Sequence, residues 1–522
     1  MKNIIKISAV ACCVALATVS SCNKGLKDET FSVYDESKLT NPENGNQAVI
    51  GAYAALKDNG GYGYYAGFLY WLYEYPVDVV TTTITSRQGV QLDQLTYDAS
   101  NSVINDVWTS IFKMISRCNE AEELINNIDY ATKGSTNTLK QQNIGEVRFL
   151  RALAYYDATS IWGNVPLILK SSSHFTTEDQ NPKLVDKAEV EAAMITDLEF
   201  AAANLPESYP ANEVARATSG AAKGLLARLY MRRGEWQKAA DAALSVMNKG
   251  YDLRTKAEGG LSSMFNTNNR SDNEFIFVLK SSNEAGAYGI NSNSFGINST
   301  PWDLNRGYGN FPIHLEFYAL FDKTDDRRNT LLTGSYQTLY GQTMNVPVEY
   351  GGLGGDAPDV VLAKYVYNLK YPHVNNYNYA GFNNVTILRY ADILMMRAEA
   401  LNELNGPNAE SISLINQIRE RSNLPGLTLS GYTKETLRNA IFDERNKEFF
   451  MEGRRREDLI RWGKSATNGA DPLLKFREKV VPLLRDANTY SSAVDYTVFP
   501  YPQNEIQSNT SFSADVNKGR VK

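Results

Sequence analysis

The clearest indication of the fold lies in residues 225–243, which read LLARLYMRRGEWQKAADAA. The apolar run Leu225–Tyr230 lines one helix, Gly234 interrupts it, and Trp236 and Ala239 line a second helix. A small residue such as Ala239 lets two helices pack closely, as in a tetratricopeptide hairpin. We therefore predict a tetratricopeptide-like helix pair at this point of the chain.

Helical periodicity continues on both sides of this pair. A second pair with a similar pattern is predicted at Ile393–Arg421, with two independent helix hairpins as the alternative to a true repeat. Further helices are predicted at Asn41–Lys57, Asn105–Ile128, Gln141–Ser160, Asp186–Leu205 and Thr433–Trp462. The predicted fold class is therefore mainly α, a scaffold of helix pairs.

Residues 251–385 differ in composition from the helical segments around them. They are rich in aromatic residues, Gly, Asn and Ser, with strand-like pieces at Glu274–Leu279 and Val360–Tyr365. We predict a long, irregular, loop-rich insertion with a few short strands. Loops of this length in a compact protein usually carry function.

Charged residues cluster in the last predicted helix. Its charged residues include pairs three and four positions apart, which predicts ion pairing along that helix: Glu444, Arg445, Lys447, Glu448, Glu452, Arg454, Arg455 and Arg456. Arg389 and Asp392 stand where another predicted helix begins, and we expect them to cap and orient it. Both clusters are interpreted as structural.

Charge and composition exclude several classes of protein. Lys and Arg number 53 against 59 Asp and Glu, a net charge of −6, which disfavours a nucleic-acid partner. Three histidines and four cysteines leave little material for a metal site, and neither G-x-S-x-G nor H-E-x-x-H occurs. We predict a protein that is not an enzyme and that uses neither a metal nor a cofactor.

The N-terminus has the features of a bacterial lipoprotein signal. A short basic region precedes Ile7–Val19, an apolar run that is too short to span a membrane but suits a secretory signal. Small residues then lead into Cys22, an arrangement that resembles a lipobox; an ordinary signal peptide with a chance cysteine is the alternative. We predict a signal peptide at 1–21, lipid attachment at Cys22 and a polar tether at 22–40.

Aromatic residues provide the candidate binding site. Tyrosine is unusually frequent, with 31 residues against 6 Trp, and its flat ring with a polar tip suits polar ligands. The preferred candidates share one polar, turn-rich loop: Trp302, Asp303, Asn305, Arg306 and Tyr308. The second-choice candidates lie in an early Gly/Tyr-rich segment: Tyr64, Tyr65 and Trp71. The alternative for Trp302 is a structural role, in which its ring packs against its own loop.

Several motifs, taken in order, resemble the SusD-like (RagB/SusD) family of outer-membrane lipoproteins. They are Trp108–Ile111, Glu146–Ala152, Trp162–Leu167, Arg389–Leu394, Asn416–Arg419, Glu444–Trp462 and Phe499–Ile506. Each motif is loose, but their order and spacing cover nearly the whole chain after the signal. Tyr501 departs from the small or apolar residue expected at its position.

This resemblance implies a fold of tetratricopeptide-like helix pairs with an irregular ligand-binding face. It also implies capture of nutrients, mostly glycans, at the outer surface of the outer membrane, without cleavage, and a SusC-like TonB-dependent transporter as partner. The implied layout is an N-terminal helical scaffold at 41–250, a ligand-face region at 251–385 and a C-terminal helical region at 386–522. A repeat scaffold for protein partners alone, or a receptor for peptides or another nutrient, remains the alternative.

Overall fold

The computed structural model describes residues 39–57, 63–82, 87–210, 213, 215–247, 249–266, 272–281, 304, 309–350, 363–372, 383–465, 471–484, 488 and 490–520. The helices are α1 (Pro42–Ala54), α2 (Phe68–Glu74), α3 (Arg87–Asp93), α4 (Ser102–Asn127), α5 (Asn137–Trp162), α6 (Lys187–Asn204), α7 (Ser219–Arg233), α8 (Trp236–Val246), α9 (Gly260–Met264), α10 (Leu315–Tyr318), α11 (Tyr390–Asn405), α12 (Ala409–Arg421), α13 (Lys434–Phe449), α14 (Arg455–Lys464), α15 (Leu474–Lys479) and α16 (Gln503–Ser508). The strands are β1 (Phe275–Leu279), β2 (Ile313–His314), β3 (Leu331–Leu332), β4 (Gly334–Gln337), β5 (Thr343–Val346), β6 (Val348–Tyr350), β7 (Ala363–Asn368) and β8 (Val385–Arg389).

The helix pair predicted from residues 225–243 is formed by α7 and α8. The Thr218 side chain accepts a hydrogen bond from the Ala221 N–H and so caps α7, which ends at Gly234 in the left-handed conformation (φ 71°). Ala239 is fully buried, because α8 packs against α7 on one side and α11 on the other. The predicted pair is confirmed.

Packing between successive helices extends through most of the chain. Helices α4, α5 and α6 pack in succession, α6 then packs against α7, and α11 packs against α12. Buried apolar side chains from these helices belong to one continuous core. The prediction of a mainly α fold built on tetratricopeptide-like pairs is confirmed. In the described residues, every helix is either too short or too polar to span a bilayer.

The short strands connect the two helical parts of the chain. Strand β1 pairs with β8, which leads directly into α11, while β7 pairs with β2, β3 and β6. Strands β4 and β5 form a separate hairpin. Strand β1 falls within the predicted piece Glu274–Leu279, and β7 begins in the other predicted piece and continues to Asn368.

The single helix predicted over Thr433–Trp462 is wrong, because the structure has two helices there, α13 and α14. Between them Met451 (φ 60°) and Gly453 (φ 72°) have left-handed backbone conformations, which a right-handed helix cannot contain. The Gly453 N–H donates instead to Oε1 of Glu74 at 2.6 Å. A partner 379 residues away in the chain thus holds the turn, and local periodicity could not indicate it.

The charged residues of α13 pair with other elements as well as along the helix, where Lys447 lies 3.8 Å from Glu444. Nη1 of Arg389 lies 2.7 Å from Glu274 and 2.6 Å from Glu448, and Arg421 also pairs with both carboxylates. Burial alone raises the pKa of Glu448, but the guanidinium groups of Arg421 and Arg389 outweigh it and hold that pKa well below its ordinary value. The network therefore joins the residue before β1 to β8, α12 and α13.

The predicted capping role of Arg389 and Asp392 is also wrong. Arg389 precedes α11, but its side chain makes no capping hydrogen bond there. Asp392 is buried and accepts from Nε of Arg228 at 2.7 Å and from Nη1 of Arg445 at 3.0 Å. Both residues form buried ion pairs instead. An unpaired charge in this interior would cost several kcal/mol of folding free energy, so each needs a partner.

Candidate functional site

The structure describes the segment that follows the preferred candidate loop. Trp302, Asp303, Asn305, Arg306 and Tyr308 all lie outside the described residues. The chain is described again from residue 309, so the structure defines what holds the C-terminal end of this loop.

That end is attached to the segment that follows the early Gly/Tyr-rich stretch. The Tyr75 hydroxyl donates to the main-chain carbonyl of Asn310 at 2.9 Å, and the rings of Tyr75 and Phe311 lie 5.1 Å apart. Backbone bonds continue the contact, from Thr81 N to the Pro312 carbonyl at 3.0 Å and from His314 N to the Val79 carbonyl at 2.9 Å. Residues 75–81 and 310–314, distant in sequence, therefore lie together in the fold.

The Gly/Tyr-rich segment is fixed to α5 through one carboxylate. The hydroxyls of Tyr64 and Tyr65 donate to Oδ2 of Asp157 at 2.6 and 2.7 Å, and Tyr73 donates to Oδ1 at 2.8 Å. Burial raises the pKa of Asp157, and the three hydroxyl donors oppose that rise by stabilising the carboxylate. Tyr64 has a positive φ of 25°, a strained conformation for a residue with a side chain.

The expectation that Tyr64, Tyr65 and Trp71 are exposed ring platforms is wrong. Their exposed fractions are 0%, 3% and 8%. The Trp71 ring packs edge-on against Phe68 and Tyr75, with ring centroids 5.4 Å apart in both pairs. The Gly/Tyr composition suggested a loop at the surface, whereas Asp157 supplies a buried partner that the local sequence does not reveal. These rings therefore belong to the core.

A second carboxylate of the same segment is buried beneath this region. Glu74 at the end of α2 accepts from Gly453 N through Oε1, whereas Oε2 has no hydrogen-bond partner among the described residues. Burial raises the pKa of Glu74 to about 7, against smaller effects from that hydrogen bond and from Lys370. Lys370 itself is held by Glu452 at 2.6 Å and by the carbonyls of Glu448 and Phe450. Glu74 therefore links α2 to the turn between α13 and α14.

One open cleft among the described residues was not predicted from the sequence. It measures about 790 Å³ and lies between the loop 167–185 and residues 510–511. Leu167, Ile168 and Phe175 contribute apolar surface, and Lys170 pairs with Asp179 at 2.6 Å on its rim. Its two walls are more than three hundred residues apart in the chain, so no local pattern could have indicated it. The described part of the chain groups no three His, Cys, Asp or Glu side chains as metal ligands.

Comparison with known proteins defines the class of protein. A family model described as the SusD family matches residues 273–517, and one described as starch-binding, associating with the outer membrane, matches residues 60–231. SusD-like protein P25 of Formosa agariphila is 25% identical over 489 residues, which cover 85% of this chain and 87% of that protein. Together the two models account for both helical parts of the chain. This chain belongs to the SusD-like family, and the resemblance found in its motifs is confirmed.

Solved structures agree with this assignment at the level of the fold. A SusD homolog from Bacteroides thetaiotaomicron has a TM-score of 0.74 at 21% identity, covering 92% of this chain and 97% of its own. A laminarin-binding SusD-like protein has a TM-score of 0.70, also at 21% identity, covering 90% of this chain and 98% of its own. The helix pairs and the short strands described above are thus a shared architecture.

Proposed function

We propose that this protein is a non-catalytic glycan-binding lipoprotein of the outer membrane that passes its ligand to a SusC-like TonB-dependent transporter. Membership of a family whose matching model is described as starch-binding and associating with the outer membrane carries this proposal. The structural similarity to a laminarin-binding protein supports a glycan as the ligand.

The ligand site proposed is the loop that contains Trp302 and Tyr308. Sugars present an apolar C–H face and a rim of hydroxyls, so an aromatic ring beside amide and charged side chains suits them. Asp303, Asn305 and Arg306 supply the polar partners in the same loop. The attachment of the loop's end to Tyr75 through Asn310 supports this assignment, because a site needs a rigid base.

Calorimetry with laminarin and amylopectin tests the site. For Trp302→Ala we expect a loss of roughly 1–3 kcal/mol of binding free energy, by analogy with the stacking of bases on aromatic rings. Trp302→Phe keeps a ring and should retain most of the affinity. Thermal melts of both variants should match the parent. Unchanged affinity in Trp302→Ala, or a collapsed melt, would assign Trp302 a structural role.

Lipid attachment and the layout of the chain are part of the same proposal. Cys22 lies outside the described residues, as do the proposed signal peptide at 1–21 and most of the tether at 22–40. The proposed scaffold at 41–250, ligand-face region at 251–385 and C-terminal region at 386–522 then form the exposed receptor. Metabolic labelling with a fatty acid should mark the parent and leave Cys22→Ala unlabelled. Equal labelling of both proteins would remove the lipid anchor from the proposal.

The partner is tested separately from the ligand. We expect a TonB-dependent transporter to co-purify with the tagged parent protein from solubilised outer membranes. Retention of such a transporter without retardation by any polysaccharide in affinity gels would favour the alternative of a protein-binding scaffold.

A further inference from the structure

Strands β4 and β5 form a hairpin that follows the short strand β3. Its register pairs Ser335 with Asn345 and Gln337 with Thr343. The hairpin follows β3, and β3 pairs with β7, the strand that also pairs with β2. Strand β2 in turn begins just after Asn310, where the candidate loop is attached. The hairpin therefore follows one strand that pairs with β7, and the candidate loop precedes another strand that pairs with β7.

The two faces of the hairpin differ in chemistry. Tyr336 and Val346 are buried on one face. The opposite face exposes hydroxyl and amide side chains: Ser335, Gln337, Thr343 and Asn345. They are ordered by cross-strand hydrogen bonds of 2.7 Å, from Ser335 Oγ to Asn345 Oδ1 and from Gln337 Nε2 to Thr343 Oγ1. An amide has donors and an acceptor beyond the single bond used here, so this face can also bond a ligand.

The turn of the hairpin presents an aromatic ring to solvent. Tyr340 is 67% exposed, more than any other large apolar or aromatic side chain in the described residues, and Leu339 beside it is 47% exposed. The turn is ordered by Thr338, whose Oγ1 accepts from the N–H groups of Tyr340 and Gln342 and whose N–H donates to the Gln342 carbonyl at 2.8 Å. The ring therefore stands on a rigid support. Single exposed apolar residues are common, but two adjacent ones on an ordered turn form a contact surface.

The absence of charged residues from the hairpin indicates the kind of ligand that it could bind. Residues 329–348 contain no Asp, Glu, Lys or Arg, in a chain that is 21% charged. Exposed hairpin edges are usually protected by charged side chains, lysine above all. An anionic or cationic ligand would find no complementary charge on this hairpin. A neutral sugar chain fits it, because hydroxyl and amide groups bond its hydroxyls while a tyrosine ring covers its apolar face.

We propose that the β4–β5 hairpin is an auxiliary binding site for an uncharged polysaccharide, with Tyr340 as its stacking platform. This inference rests on the proposed glycan-binding function and adds a second point of contact to the loop 302–308. Two contacts on one chain of sugar raise the affinity through effective concentration, provided that the ligand is long enough to reach both. Long glycans therefore use the hairpin, and short ones bind the loop alone.

Calorimetry on Tyr340→Ala, Tyr340→Phe and Trp302→Ala tests whether long glycans bind the hairpin and short glycans bind the loop alone. The probes are neutral polysaccharides (laminarin, amylopectin, xylan and galactomannan), acidic alginate, and the trisaccharides laminaritriose and maltotriose. We expect Tyr340→Ala to weaken binding of the preferred neutral polysaccharide by about fivefold or more. It should leave trisaccharide affinity and the melting temperature unchanged. Tyr340→Phe, which keeps the ring, should bind like the parent.

Hydrogen exchange gives a second measurement that needs no substitution. Amides of residues 334–346 in the parent should be protected by the polysaccharide and not by the trisaccharide. Parent-like polysaccharide affinity in Tyr340→Ala, together with a loss in Trp302→Ala, would overturn the hairpin site and leave the proposed function intact. Binding of alginate alone would overturn the neutral specificity, and binding of no glycan by the parent would overturn both proposals. Normal glycan binding by Tyr340→Ala with loss of the co-purified transporter would make the hairpin a protein contact instead.

Discussion

The hydroxyl of Tyr75 donates a hydrogen bond of 2.9 Å to the main-chain carbonyl of Asn310, a residue 235 positions further along the chain. Tyr75 is fully buried and follows directly after α2. This bond joins the core of the helical scaffold to the end of the candidate ligand loop. The position of Asn310 therefore depends on a contact far from it in sequence.

Removal of this hydroxyl should loosen the loop. We expect Tyr75→Phe to lose about 1 kcal/mol of unfolding free energy, the usual contribution of one hydrogen bond, and to speed hydrogen exchange at residues 309–314. Tyr130→Phe is the matched control, because it removes a buried hydroxyl that is bonded to Asn143 at 3.0 Å between other elements. Equal exchange at 309–314 in both variants would show that the Tyr75 bond does not hold the loop.

Asp157 is expected to be the most sensitive residue beneath the candidate site. Asp157→Asn replaces a carboxylate with an amide that presents donors to hydroxyls already donating. We expect a loss of about 1.5–3 kcal/mol in chemical unfolding, the range for hydrogen bonds to a charged group. Tyr65→Phe, which removes one of the three donors, should lose less. A larger loss in Tyr65→Phe than in Asp157→Asn would contradict the shared-acceptor arrangement.

The close packing of α7 against α8 can be tested by placing a larger side chain at a buried position between them. Ala239→Leu places a large side chain where α8 lies between α7 and α11, and we expect a loss of roughly 1–3 kcal/mol. The control Gln237→Leu introduces the same residue at an exposed position of the same helix. Similar melting temperatures for the two variants would argue against tight packing at Ala239.

Glu74 should make stability depend on pH in a defined window. Its pKa is raised by burial from 4.5 to about 7, so between those values the unfolded chain releases a proton that the folded chain keeps. Stability therefore falls as the pH rises from about 5 to 7, by an amount on the order of 3 kcal/mol from this group. Glu74→Gln should remove that contribution and gain stability relative to the parent at pH 7.5.

The measurement is the difference in unfolding free energy between the parent and Glu74→Gln at pH 5 and at pH 7.5. Glu43→Gln, a change at an exposed carboxylate in α1, serves as the control. A constant difference between parent and Glu74→Gln across this range would mean that Glu74 is already ionised in the folded protein at pH 5.

Local patterns in the sequence were sufficient for the helix pairs and for the family. Helical spacing of apolar residues and the glycine at 234 act within one or two turns, so they can be interpreted without knowledge of the fold. The family motifs likewise persist as short segments in a constant order. The strand-like pieces near 275 and 363 were also visible, because short apolar runs flanked by polar residues favour strands.

Tertiary structure alone decided which charged and aromatic side chains are buried. Tyr64 and Tyr65 find Asp157 more than ninety residues away, and Arg389 finds Glu274 and Glu448 on separate elements. The free energy of a buried hydroxyl or ion depends on the partner that the fold brings to it, and that partner leaves no trace in the neighbouring sequence. The sequence by itself therefore determined the helical scaffold and the family, while long-range packing determined the partners of the buried tyrosines and ions.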